Sequence, residues 1–437
     1  MFLTIKKIIR AITPKPILRL TQPIYHGLVA RIASMYFGSP SKKLFVIGVT
    51  GTAGKSTTVM MAAQILNYSG KKTGYITTTG SFDGSNTKMN THGMSMPGGW
   101  MLQKQLAEMV SKKCEFAIVE CTSEGLAQNR HLGIKFQTAL FTNLSPAHID
   151  SHGSFEKYRA AKGLLFSALS NTDKSLIGVN LDDPNKNYFL GFPAAIKFGV
   201  SMRADTPKPD NVASFLAESV QVSDHISFKV QGVEFKLRMF GTFNVTNALL
   251  AVATTKMLGI SLESSAEALA NIGTVPGRME TIKSPNGVTV IVDYAPEPVA
   301  MESSLKAVSL LPHNKIIHVF GSTGGHRDVS KRFTFGKISA EFSDTIIITN
   351  DDVYDSDPRE IASNVREGID SSENKKVSVI ETVLNRKDAI ARALEIATPQ
   401  DIVLITGKGS EQFLVLPNNE RIAWDDRTVV KELLKIS

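Results

Sequence analysis

A lysine and a serine directly after glycine, between an apolar run and a helical one, can grip phosphate. The stretch Val46-Ile47-Gly48-Val49-Thr50-Gly51-Thr52-Ala53-Gly54-Lys55-Ser56-Thr57-Thr58 has that order, and Val59–Leu66 continues it as a helix. Glycines let the backbone approach an anion and aim N–H groups at it, and the helix start adds partial positive charge. Lys55 can reach terminal phosphates and Ser56 can ligate Mg²⁺. Gly51, Thr52, Gly54, Lys55, Ser56 and Thr57 are therefore candidate nucleotide contacts. The strict phosphate-loop spacing asks for glycine where Val49 stands, and Gly48 and Gly51 flank it. The plain alternative is a glycine-rich turn without a ligand.

Two further stretches carry oxygen and nitrogen ligands. Glu120 closes the apolar run Phe116–Glu120, where a carboxylate at the end of a neighbouring strand suits Mg²⁺, a hard cation; an acid at a helix start is the other reading. The stretch 142–153 holds His148, Asp150 and His152, and Lys162 follows in a helical run. Taken alone, two histidines near an aspartate are more often hydrogen-bonded structure than metal ligands, and a lone helical lysine is usually solvated.

The elements that must position these residues alternate. Apolar runs at 44–49, 116–120, 138–142 and 176–180 are separated by helical patterns such as 101–111 and 154–169, which argues for a parallel sheet covered on both faces. Residues 196–240 read instead as a small β-ribbon or an extension of the sheet. After Pro276-Gly277 a second strand–helix alternation runs to the C-terminus, an open sheet whose ligands bind at the carboxyl ends of its strands. The expected division is a basic helical arm at 1–43, a central domain at 44–275 and a second α/β domain at 276–437. A chain of 437 residues is too long for one ordinary domain.

Two cysteines give no disulfide framework and fit a reducing cytoplasm. The net charge of +8 sits in residues 1–43, which hold eight Lys and Arg and no acid; the remaining 41 basic residues equal the 41 acidic ones. No general basic surface follows, which argues against nucleic-acid binding. Within the arm, Ile5, Ile8, Ile9 and Ile12 share a helical face until Pro14 and Pro16, and a second run follows at Ile17, Leu20, Ile24, Leu28, Ile32 and Met35. Neither run has the roughly 20 apolar residues that span a bilayer. The arm packs on the next domain, or it attaches peripherally to the inner, anionic face of a membrane.

The phosphate loop, the Glu120 stretch, Asn143–Gly153 and Lys162, in that order, resemble the Mur ligases, ATP-dependent amide-forming enzymes of cell-wall peptide synthesis. The nearest branch adds the third residue to the muramoyl dipeptide. Gly241–Ala248, Pro276–Glu280, Asp293-Tyr294-Ala295, Phe320–Asp328, Gly407–Glu411 and Trp424–Arg427 match as well. The resemblance implies a P-loop-type ATPase domain followed by a Rossmann-like domain that binds the amino acid. It implies a carboxylate phosphorylated by ATP and then attacked by an amine. Lys55, Glu120, His148 and Lys162 would be catalytic. Ser56 and Glu120 would hold one Mg²⁺, and His148 with an N6-carboxylated Lys162 a second. Asn247, Arg278 and Asp293 would contact the nucleotide, and Thr122, Gln128 and Arg130 the muramoyl peptide. Arg327, Asp351, Asp352, Tyr354, Gly407 and Glu411 would face the incoming amino acid.

The departures shape the expectations. Only about forty residues precede the loop, too few for the family's uridine-nucleotide-binding domain. The acceptor is then held without that module, or another chain supplies it, or the acceptor is not a uridine nucleotide, a lipid-linked peptide among the options. Pro296 and Ser410 stand where the family has histidines. Tyr354 replaces the arginine that binds the second carboxylate of diaminopimelate, and four aspartates lie in 351–357. That composition favours lysine or another diamino acid with a free amine over diaminopimelate. Competing expectations are a folylpolyglutamate-synthetase-like or pseudomurein-type ligase, and a nucleotide-binding subunit without turnover.

Overall fold

The structure is a computed structural model that describes residues 15–90, 94–146, 152–170, 172–222, 225–325 and 329–436. The first amphipathic run of the arm, at Ile5–Ile12, lies outside the described residues.

Helix α1, Lys15–Tyr36, carries Pro16 in its first turn, where a missing N–H costs nothing, and Pro23 in its interior. It packs on helix α2, Gly99–Ser111, through small residues: a Cβ on Gly99 would lie 2.4 Å from that of Ala30, and one on Gly133 would lie 2.7 Å from Cβ of Ser34. Ser34 Oγ also donates to the Gly133 carbonyl at 3.0 Å.

The first sheet has nine strands in the order β4-β3-β2-β5-β1-β6-β7-β8-β9. They are β1 Phe45–Thr50, β2 Thr73–Ile76, β3 Gly80–Phe82, β4 Thr87–Met89, β5 Phe116–Glu120, β6 Thr138–Phe141, β7 Leu176–Asn180, β8 Ile196–Ser201 and β9 Val212–Leu216. From β2 to β9 neighbouring strands run parallel, while β3 and β4 form an antiparallel edge. Strand β1 sits centrally and its residues Val46, Ile47 and Val49 are fully buried. One face is covered by the helices Lys55–Tyr68 and Phe243–Met257, the other by α2 and Phe155–Ser167, as a parallel sheet requires. Gly48 lies where a Cβ would meet Leu165 at 2.4 Å, so this glycine serves strand–helix packing.

The stretch 196–240 holds both features expected of it. Strands β8 and β9 extend the sheet, and β10 Glu218–Val222, β11 Ile226–Val230 and β12 Val233–Leu237 form a separate antiparallel ribbon. The β2–β4 edge was not legible beforehand, because Thr73–Met89 mixes glycine, threonine and polar residues without a clean period.

The second sheet has the order β13-β14-β18-β15-β16-β17, parallel apart from β13. Its strands are β13 Glu280–Lys283, β14 Thr289–Asp293, β15 Ile316–Phe320, β16 Thr345–Ile348, β17 Val379–Thr382 and β18 Ile402–Thr406. A hairpin, β19 Phe413–Val415 and β20 Arg421–Ala423, follows. Gly277, at φ 63°, lies between the sheets, where a Cβ would fall 2.2 Å from the Ser410 nitrogen.

Candidate active site

The loop after β1 is built to receive an anion. Gly54 takes φ +81° at the start of the helix Lys55–Tyr68, and no side chain caps that start, so its first N–H groups face outward. The end of β6 pins the loop: Thr142 Oγ1 donates to the Ala53 carbonyl at 2.6 Å, and Asn143 Oδ1 accepts from the Ala53 nitrogen at 2.9 Å. A Cβ on Gly54 would fall 2.2 Å from Asn247 Oδ1, which brings the helix Phe243–Met257 against the loop. Lys55 Nζ donates to the Thr52 carbonyl at 2.9 Å, and burial holds its ammonium below the ordinary lysine range against the pull of Glu120.

Glu120 faces Val49 across the β1–β5 pair, so strand register alone brings it beside the loop. Its carboxylate accepts from Ser56 Oγ at 2.6 Å, from the Thr78 nitrogen at 2.9 Å and from Thr78 Oγ1 at 2.8 Å. A carboxylate and a serine hydroxyl side by side at a phosphate loop fit Mg²⁺, which keeps several waters and needs only one or two protein oxygens beside substrate phosphate. Thr78 belongs to no ligand motif in the sequence, and its local signal is the Thr77-Thr78-Thr79-Gly80 run after β2.

Lys162 is 2 % exposed, its Nζ donating to the Gly51 carbonyl at 2.7 Å and lying 4.4 Å from the centre of the Tyr158 ring. Burial, and then the positive charge of Lys55, drive its pKa well below the ordinary lysine value. The solvated helical lysine that statistics favour is therefore not what this residue is. Tyr158, also not anticipated, shares a hydrogen bond with Thr52 Oγ1 at 3.0 Å.

These groups line one cavity of about 910 Å³ that also takes in Asn247, Arg278 and Asp293, and reaches Thr122 and Arg130 on one side. Arg278 stacks over Tyr294 at 4.3 Å, and Asp293 accepts from the Met279 nitrogen at 3.1 Å and from Ser304. Gln128 does not line the cavity; its Oε1 accepts from Arg130 Nε at 3.1 Å and Nη2 at 2.7 Å and so aims the guanidinium. Thr122 also caps the short helix Ser123–Ala127 by accepting from the Gly125 nitrogen.

At the far side Asp351, Asp352, Tyr354, Gly407 and Glu411 line the same cavity. Not every carboxylate at this end is available to a ligand. Asp352 is engaged by Lys408 Nζ at 2.8 Å and by the Val415 nitrogen at 2.9 Å, Glu411 also takes a bond from Lys408, and Asp357 caps the helix Pro358–Asp370. Lys408 is fully buried; burial opposes its charge, and Glu411, Asp351 and Asp352 outweigh it and raise its pKa. Arg421, unremarked in the sequence, lines the cavity with its guanidinium over Phe413 at 4.8 Å. Beneath this end Arg386 binds Asp426 through two 2.8 Å bonds. His148 and Arg327 lie outside the described residues, and no group of three or more metal-binding acids, histidines or cysteines occurs among the described ones.

Two open sheets meeting at a cavity with a phosphate loop, a ligand pair for a hard cation and an acidic far end define a nucleotide-dependent group-transfer enzyme. The Mur ligase middle domain matches residues 49–255, and the Mur ligase glutamate ligase domain matches residues 277–409. The UDP-N-acetylmuramoyl-L-alanyl-D-glutamate–2,6-diaminopimelate ligase of Geobacillus kaustophilus is 35 % identical over 426 residues, 93 % of this chain and 82 % of that protein. The ligase of that name from Gloeobacter violaceus is 35 % identical over 421 residues, 96 % of this chain and 82 % of its own. A solved structure of a ligase of that name aligns with TM-score 0.59 at 28 % identity, covering 90 % of this chain and 78 % of the other. Folylpolyglutamate synthase of Mycobacterium tuberculosis aligns with TM-score 0.68 at 18 % identity over 88 % of this chain and 92 % of its own, a likeness of fold. The chain belongs to the Mur ligase family. It is an ATP-dependent, amide-forming ligase of a family that uses Mg²⁺ in building peptidoglycan.

Proposed function

We propose that this enzyme joins a diamino acid to the carboxylate of a muramoyl dipeptide carried on a nucleotide or a lipid. One observation carries the reading: a single cavity joins the phosphate loop and the Ser56–Glu120 pair to a buried, low-pKa lysine and to an acidic end built by a second sheet. The division into 1–43, 44–275 and 276–437 belongs to the same reading, with nucleotide and acceptor on the central part and amino acid on the last. Cytoplasmic work at the inner membrane face fits two unpaired, buried cysteines and a need for ATP.

The acceptor carboxylate attacks the γ-phosphorus of ATP, giving an acyl phosphate and ADP. The amino group of the incoming amino acid attacks the acyl carbon, and the tetrahedral intermediate loses phosphate and a proton to leave the amide. Lys55 and the loop N–H groups, with Gly51, Thr52, Gly54 and Thr57, hold the β- and γ-phosphates. Ser56 and Glu120 would hold Mg²⁺, which when bound would screen the negative charge between carboxylate and ATP. Asn247, Arg278 and Asp293 fix the nucleoside. Thr122 and Arg130, the latter aimed by Gln128, hold the acceptor.

Lys162 suits carboxylation because a neutral amine adds to CO₂ and releases a proton, leaving an anionic oxygen donor. Burial, and then the charge of Lys55, lower its pKa and so favour the neutral amine. Together with His148 it would bind a second Mg²⁺. Arg327 and Glu411 would face the carboxylate and ammonium of the amino acid.

The missing arginine at Tyr354 and the carboxylate of Asp351 support lysine as that amino acid. Arg421 supports a second reading, since its guanidinium in the same cavity can take the distal carboxylate of diaminopimelate. The test is the product mass from ATP, muramoyl dipeptide and a mixture of amino acids. A lysine adduct is expected, a diaminopimelate adduct transfers the role to Arg421, and no adduct with any amino acid overturns the proposal. Carbon-13 bicarbonate should give a carbamate signal that Lys162→Ala removes together with turnover.

A further inference from the structure

Helix α1 has two unlike faces. Gly27, Ala30, Ala33 and Ser34 are buried against the α2 side of the molecule. On the other face Ile24 is 72 % exposed, Leu28 58 %, Ile32 45 % and Met35 70 %, a stripe about 17 Å long at the helical rise of 1.5 Å. Tyr25, Tyr36 and Trp100 are also exposed, and Trp100 of α2 packs against Tyr36 with ring centres 5.2 Å apart. Arg31 on the same helix and Lys42 and Lys43 just beyond it are exposed, within a segment of eight cations and no acid.

We propose that this face docks on an anionic phospholipid surface, with the helix lying in the plane of the interface. An apolar stripe rimmed by aromatics and cations is the pattern that enters the headgroup boundary, and charge selects anionic lipid. A second copy would set two acid-free segments against each other. No helix among the described residues is long and apolar enough to cross a membrane. The placement has a functional side, which rests on the ligase reading above. Leu132 lies where a Cβ on Gly27 would meet it at 3.0 Å, and Asn129 Nδ2 donates to the Pro23 carbonyl at 3.3 Å. Arg130, at the acceptor end of the cavity, lies between those two residues. Docking therefore sets the stretch that carries Arg130 behind helix α1, one helix away from the bilayer.

The test is co-sedimentation of the full chain with phosphatidylcholine vesicles, with and without phosphatidylglycerol. Binding is expected only with the anionic lipid and weakened by salt. Each cation near such a surface is worth roughly fivefold in partitioning, so Arg31→Gln/Lys42→Gln/Lys43→Gln should lose on the order of 100-fold. Leu28→Gln/Ile32→Gln/Met35→Gln should also abolish binding. Both variants should keep amino-acid-dependent ATP hydrolysis without vesicles, so loss of docking and failure of the ligase reading give different results. Equal binding to both vesicle types, no binding to either, or a dimer in solution that the apolar variant dissociates overturns the assignment.

Discussion

Replacing Asp426 by alanine should weaken the C-terminal sheet out of proportion to its size. Arg386 and Asp426 both have side chains with no exposure, and their two 2.8 Å bonds form a bidentate pair. The guanidinium also reaches the Thr406 carbonyl at 2.8 Å and the Asn350 carbonyl at 3.2 Å, while Trp424 Nε1 donates to Asp426 at 2.9 Å. Alanine leaves a buried guanidinium with two carbonyls and no bonded carboxylate, only the charges of Asp351 and Asp352 beyond it, a situation that costs about 3–5 kcal/mol. Removing both charges as Arg386→Met/Asp426→Leu should return most of that loss, because two desolvated ions become packed apolar groups. Catalysis should separate the two variants differently. Asn350 precedes Asp351 and Asp352, and Thr406 precedes Gly407, so the double variant frees both segments at the amino-acid end and raises the KM for the amino acid, with that for ATP unchanged. Urea unfolding read by Trp424 fluorescence in a Trp100→Phe background reports this half of the molecule. A single variant destabilised by less than about 1 kcal/mol, or a double variant as unstable as the single one, refutes the clamp.

Gly54→Ala should cost nucleotide affinity, since a left-handed φ of +81° carries about 1–2 kcal/mol for any other residue and the new Cβ would press on Asn247 Oδ1. Calorimetric titration with ADP should show at least a tenfold weaker Kd, and an unchanged Kd removes the steric argument. His318 lies fully buried between Ser339 and Thr406, and burial, with Arg386 adding to it, pushes its pKa from 6.5 down to about 3. The unfolded chain takes up the proton first, so stability present above about pH 6.5 is lost as pH falls toward the folded value. His318→Gln should flatten the fall in urea midpoint between about pH 6.5 and pH 4, and an unaltered slope assigns acid sensitivity elsewhere.

Local chemistry made much of this molecule readable. The order of glycines, lysine and hydroxyls gave the loop, and apolar runs gave the parallel strands β1, β5, β6, β7 and β14–β18 to within two residues. What escaped depended on distance. Thr78 and Tyr158 matter because β2 and the helix Phe155–Ser167 deliver them to Glu120 and Thr52, from 42 and 106 residues away. The spacing around Val49 became intelligible only when Gly48 was found packed on Leu165, a contact with no local signature. Counting aspartates could not show which are engaged, because Lys408, which binds Asp352, sits 56 residues further along the chain.

Both loop-facing lysines are already occupied by the loop: Lys55 rests on the Thr52 carbonyl and Lys162 on that of Gly51. An ammonium carries three N–H donors, so the Thr52 carbonyl takes one from Lys55 and leaves two for phosphate. The loop thus aims its own lysine before a triphosphate arrives.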